Sequence, residues 1–194
     1  MNRRTLGIVL ALLGATVLVL VVLLLTGGTG TGRVKDVGGD TVAGVGPAPP
    51  GDPALADALD VSVSREGSDV VFTAVFAKDL PNRLSEGTVD YRWDVTEDGT
   101  PTWIVSANLN VGLNASVTAQ QADFGASTVD DSLPGSVELK GDTLTIRLQV
   151  GDIEGFPETF DWSFRSSLDG DRSDPTSAIV EDTVPDSGSA RLGD

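Results

Sequence analysis

The chain predicts an all-β fold, an antiparallel β-sandwich of jelly-roll or immunoglobulin-like type, preceded by a single N-terminal transmembrane helix. Three observations carry this expectation. Between Leu59 and Phe164 apolar residues recur at every second position, the period of a strand with one buried face. Short clusters of Gly, Asp, Asn and Pro separate the apolar runs. Ahead of them, Leu6 to Leu25 runs twenty residues without a charge. As a helix that run is about 30 Å long, the hydrocarbon thickness of a bilayer.

Residues 1–5 form a short n-region carrying Arg3 and Arg4, which places it on the cytoplasmic side and the rest of the chain outside. The apolar run exceeds the core of a cleaved signal peptide, and Thr26-Gly-Gly-Thr29 follows in place of an A-x-A site. A retained, single-pass signal anchor over 6–25 in the cell membrane is therefore expected, with secretion after cleavage as the alternative. Gly7, Ala11 and Ala15 fall four apart, a spacing that lets two membrane helices approach closely and marks a helix-helix contact. Small residues are also common in membrane helices that pair with nothing.

Residues 26–56 are dominated by Gly, Pro, Thr, Val and Ala and read as a flexible linker. Within them Asp52-Pro53 is a cap-and-first-position pair for one short helical turn. The sandwich domain is expected over 57–183, and 184–194 as a disordered tail. Its strands come in order. Val61 and Val63 alternate; Val70, Phe72, Ala74 and Phe76 share a face, as do Val89, Tyr91, Trp93 and Val95. Trp103, Val105, Ala107, Leu109, Val111 and Leu113 make a long apolar row. Val137 and Leu139 precede Gly141-Asp142, a two-residue hairpin link, and Leu144, Ile146, Leu148 and Val150 return from it. Phe160, Trp162 and Phe164 complete the pattern.

The order of these elements includes Leu59-Asp-Val-Ser-Val-Ser64, Gly67-Ser-Asp-Val-Val-Phe72 and a Tyr91-x-Trp93 strand leading to Asp98-Gly99. The Gly141-Asp142 hairpin and Phe160-Asp-Trp-Ser-Phe164 follow, ahead of Asp182-Thr-Val-Pro-Asp-Ser-Gly188. Over roughly 55–188 this resembles the DOMON-like or family-9 carbohydrate-binding-type sandwiches of secreted prokaryotic proteins. The resemblance implies a jelly-roll-like sandwich that binds sugar or haem in some relatives. Haem-type relatives use Met or His ligands, and this chain has no His and only Met1.

Composition excludes much chemistry. Without Cys or His the chain has no disulfide, thiolate nucleophile, Ser-His-Asp triad or cysteine- or histidine-based zinc site. The net charge is −16, and because Arg3 and Arg4 precede every acidic residue, the part beyond the apolar run carries −18. Such a field repels nucleic acid and anionic lipid. Asp169, Asp171 and Asp174 place three carboxylates in one loop, a candidate calcium site; the helix-loop-helix calcium pattern is not completed, since Val180 stands where its last ligand belongs. Sugar binding of the implied kind stacks rings on exposed aromatics, but Tyr91, Trp93, Trp103 and Trp162 fall on apolar strand faces and are expected in the core. No catalytic residues, cofactor-binding residues or cofactor other than calcium are assigned, and an enzyme is not expected. The function expected is a membrane-anchored extracytoplasmic binding module that contacts a glycan, an envelope component or a protein partner. The alternatives are a structural or assembly subunit of an envelope complex and, less favoured, a carboxylate-based hydrolase.

Overall fold

The computed structural model describes residues 31–43, 51–111, 116–121, 135–169 and 179–192. Twelve strands, numbered in chain order, lie in two antiparallel sheets among these residues. The first sheet runs β1 (Thr31–Lys35), β3 (Ala58–Glu66), β4 (Asp69–Phe76), β9 (Thr143–Gln149), β8 (Gly135–Lys140). The second runs β2 (Val42–Ala43), β11 (Ile179–Val184), β10 (Phe160–Asp169), β5 (Thr88–Glu97), β6 (Thr100–Asn110), β7 (Ser116–Gln121). β12 (Ala190–Leu192) pairs with the start of β10, on the same edge that β11 occupies further along. The fold is all-β and sandwich-like, as the period of two predicts.

Alternation decides which side chains meet. In β5, Val89, Tyr91, Trp93 and Val95 are fully buried while the residues between them are partly exposed. Phe72 and Phe76 of β4 point at the second sheet. Phe72 meets Trp93 with ring centroids 5.7 Å apart, Phe76 meets Tyr91 at 4.8 Å, and Trp93 meets Phe164 at 4.6 Å. Edge-on and tilted pairs of this kind contribute about 0.5–1.5 kcal/mol each beyond their area. The Tyr91 hydroxyl donates to the Leu55 carbonyl at 3.1 Å, which satisfies its one polar atom inside the core. Burial raises the Tyr91 pKa far above the usual phenol range.

The turn chemistry does what its residue types allow. Asp98 and Gly99 both have positive φ, 48° and 79°, the left-handed pair that a two-residue hairpin between β5 and β6 requires. Pro53–Leu55 forms the expected short helical turn, of 3-10 type; Asp52 accepts from the Ala54 N–H at 3.0 Å, and Lys78 donates to the other Asp52 oxygen at 2.6 Å. That ion pair holds the Asp52 carboxyl below the usual range. The long apolar row of β6 ends at Leu109: the strand stops at Asn110, and Val111 is 53 % exposed.

Two boundaries differ from the composition-based expectation. Residues 31–43 belong to the sandwich and not to a flexible linker over 26–56. β1 pairs residue for residue with β3, from Thr31 opposite Ser64 to Lys35 opposite Asp60, and β2 pairs with β11. Residues 190–192 are likewise part of the fold and not of a disordered tail over 184–194. Leu192 is 1 % exposed and sits opposite Phe160. The reason is shared. A sheet edge recruits strands through backbone hydrogen bonds, which composition does not register, and in β12 a single buried apolar residue, Leu192, then seats the strand. Gly32 has a positive role here: β1 passes so close to β12 that a Cβ at this position would lie 2.4 Å from the Arg191 carbonyl oxygen.

Candidate binding face and acidic centre

The outward face of the second sheet carries polar side chains in register. Across β11, β10, β5 and β6, one row reads Glu181, Ser167, Asp90, Asn108, and the next reads Thr183, Arg165, Arg92, Ser106. All of these but Thr183, together with Ile104, line a groove of about 250 Å³. Arg165 and Arg92 stand directly opposite each other on neighbouring strands. Like charges in that position are unfavourable unless other groups engage them. Arg92 is engaged from one side, donating through Nε to Asp94 at 2.8 Å. Asp90 and Glu181 balance the two guanidiniums, so the groove is neutral within a strongly acidic domain. It combines donors and acceptors and has no aromatic lining.

The second feature lies at the end of the sandwich remote from Thr31. Five aspartates converge there from three stretches of chain. Asp36 and Asp40 sit in the β1–β2 connection, Asp57 just before β3, and Asp182 and Asp186 in β11 and the link that follows it. Carboxylate oxygens of Asp36, Asp40 and Asp186 lie within 4.8 Å of one another, and so do those of Asp40, Asp57 and Asp182. Asp40 belongs to both groups.

The segment carrying Asp57 is held rigidly. The Ser166 hydroxyl donates to the Ala56 carbonyl, the Ala77 N–H donates to the Asp57 carbonyl at 2.9 Å, and the Ala58 N–H donates to Asp182 Oδ2 at 2.8 Å. The Gly39 N–H donates to Asp57 Oδ2 at 2.9 Å, which fastens the β1–β2 connection to this segment. Asp57 and Asp182 are 7 % and 5 % exposed. Burial pushes the Asp182 carboxyl up to about 6, against the lowering effect of the Ala58 N–H, and the charges of Asp36 and Asp40 add to the rise. Burial also raises Asp36, opposed by its bond from the Val37 N–H and reinforced by Asp40, Asp186 and Asp57. Among the described residues no lysine or arginine pairs with any of the five. Two oxygens, Asp57 Oδ1 and Asp36 Oδ2, are buried without a hydrogen-bond partner.

Asp169 ends β10, opposite Ile179 and Thr88, while Asp171 and Asp174 lie outside the described residues. Gly7, Ala11, Ala15 and the whole apolar run 6–25 also lie outside them; among the described residues no helix is long and apolar enough to cross a membrane. Tyr91, Trp93, Trp103 and Trp162 are buried, as their strand faces predict. The sequence reading passed over the five converging aspartates because three of them stood in segments assigned to linker or tail. One signal was present: Asp182 alternates with Val180 and Val184, a carboxylate at an inward-facing position.

The chain matches no protein-family model, and no curated protein is significantly similar to it.

Proposed function

We propose that this chain is a membrane-anchored extracytoplasmic binding module, a jelly-roll-type sandwich behind a signal anchor, that takes a neutral, hydroxyl-rich ligand such as an envelope glycan on the outer face of its second sheet. The observation that carries this reading is the groove in which Arg92 and Arg165 stand in register beside the row that holds Asp90 and Glu181. Hydroxyl groups donate to carboxylates and accept from guanidiniums, so a polyol engages both kinds of side chain at once. A polyanion is disfavoured by the −18 charge of the surrounding domain. Recognition runs through in-plane hydrogen bonds, because the tryptophans that would stack on a sugar are inside the core.

The anchor sets the geometry of presentation. Only residues 26–30 separate the apolar run from β1, and five residues reach at most about 18 Å. The domain is thus held close to the bilayer, with the Glu66-Gly67 hairpin end nearest it. The test is retention of the full chain in detergent on immobilised neutral polysaccharides and on purified cell-wall glycan, compared with Arg92→Ala and Arg165→Ala variants. Retention that both variants lose, with unchanged melting temperature, supports the reading. Equal retention of wild type and variants, or none for wild type on any glycan, refutes it.

A further inference from the structure

We infer that Asp36, Asp40, Asp57, Asp182 and Asp186 form a calcium site at the junction of the β1–β2 connection, the segment before β3, and the β11–β12 link. The inference is independent of the groove and of its ligand. Proximity of acidic residues alone does not make a site, since exposed aspartates cluster often in a chain this acidic. What distinguishes this cluster is that its inner members are buried and one of their oxygens has nothing to bond. Asp57 is 7 % exposed, its Oδ2 is taken by the Gly39 N–H, its Oδ1 is buried and unpartnered, and its carboxylate lies within 4.8 Å of those of Asp40 and Asp182. Asp36 repeats the arrangement in the outer group: Oδ1 accepts from the Val37 N–H and Oδ2 is left buried and bare.

A buried carboxylate oxygen without a partner, on a residue grouped with two further carboxylates, is costly, and no arginine or lysine among the described residues relieves it. A cation at that point removes the desolvation penalty and the mutual repulsion together. The donors are all oxygen, which selects a hard ion; zinc and copper are better served by the nitrogen and sulfur ligands this chain does not contain. Calcium–oxygen bonds of about 2.3–2.6 Å put oxygens on a shared ion no more than about 5 Å apart. The 4.8 Å limit within each aspartate group satisfies that condition. Calcium tolerates irregular geometry and accepts six to eight oxygens, whereas magnesium demands a near-ideal octahedron and retains its waters. Ligands gathered from three separate stretches of chain, some rigidly held and some on exposed links, suit the larger ion.

The site has a structural consequence. Asp36 and Asp40 lie in the connection between the first two strands, and Asp182 and Asp186 lie in β11 and the link after it, so the ion fastens both of these stretches to the Asp57 segment.

The test uses the full chain in detergent, titrated with calcium chloride by calorimetry and melted with tryptophan fluorescence in calcium, magnesium or EDTA. At a hundredfold excess over Kd, calcium should raise the melting temperature by roughly 5–10 °C, and magnesium should do markedly less. Asp40→Asn, at an exposed position common to both groups, should weaken calcium binding at least tenfold without lowering the melting temperature in EDTA, where it relieves repulsion. Asp57→Asn should likewise weaken calcium binding at least tenfold. Asp171→Asn combined with Asp174→Asn should leave the calcium response intact. Absence of any calcium-dependent shift at about 10 mM, well above the Kd of weak extracellular calcium modules, overturns the inference. So does a response that survives both Asp40→Asn and Asp57→Asn, or one abolished by the Asp171 and Asp174 pair.

Discussion

Substitution of Gly32 tests whether the chain before residue 43 is tether or fold. An alanine there places a Cβ 2.4 Å from the Arg191 carbonyl oxygen, 2.7 Å from Trp162 Nε1 and 3.1 Å from the Arg191 carbonyl carbon. Ordinary contact begins near 3.4 Å, so the two backbones must separate by about 1 Å. No rotamer change relieves this, because the nearest atoms are the main chain of β12, itself registered against β10 with Arg191 opposite Asp161. Forced overpacking costs about 1–3 kcal/mol. Against it stands the entropic benefit of replacing glycine, about 0.4–1 kcal/mol. The clash wins, with a net loss of about 1–2 kcal/mol. For a domain of this size that lowers the melting temperature by roughly 2–8 °C. Thermal melting of the full chain, followed by tryptophan fluorescence with Trp162 beside the substituted residue, measures it directly. Lys35→Ala, at an exposed position on the same strand, is the control and should change stability by less than about 0.5 kcal/mol. If Gly32→Ala melts with the wild type or above it, β1 does not lie against β12 and the seating of residues 31–35 is refuted.

Other outcomes follow from the same packing. Leu192→Ala should destabilise by about 2–4 kcal/mol in urea titration, because Leu192 is fully buried at the open edge of β10; a disordered tail would give no change. Tyr91→Phe should cost about 1–3 kcal/mol by the same measurement, since it leaves the Leu55 carbonyl without its hydroxyl donor inside the core. In EDTA, stability should depend on pH through Asp182. Its folded-state pKa of about 6 lies above the ordinary value of 3.8, so its contribution is fully present below the ordinary value and is lost as pH rises through 6. Melting temperatures from pH 4 to pH 7.5 should therefore fall less in Asp182→Asn than in the wild type; parallel profiles would refute the raised pKa.

The strands between Ala58 and Phe164 and the interior placement of Trp93, Trp103 and Trp162 were legible in the sequence. Both follow from an alternation that one buried face imposes on every residue of a strand. The hairpins at Asp98-Gly99 and Gly141-Asp142 were legible for a local reason, the backbone conformations that Asp and Gly tolerate. The expected calcium loop at Asp169, Asp171 and Asp174 was read from nearness along the chain, and two of its three members lie outside the described residues.

What the sequence determined by itself is the class of fold, the inward and outward faces of its central strands, and the absence of cysteine and histidine chemistry. These are properties of single residues and of a two-residue period. What only the tertiary structure decided is the extent of the domain and the meeting of the five aspartates. β1 and β12 are strands because backbone groups at the sheet edges find partners more than twenty residues away. Asp36 and Asp186 are neighbours because two connections of the sandwich close over the same end. Pairing across such distances depends on where the sheets put their edges, and no local pattern in the chain encodes that.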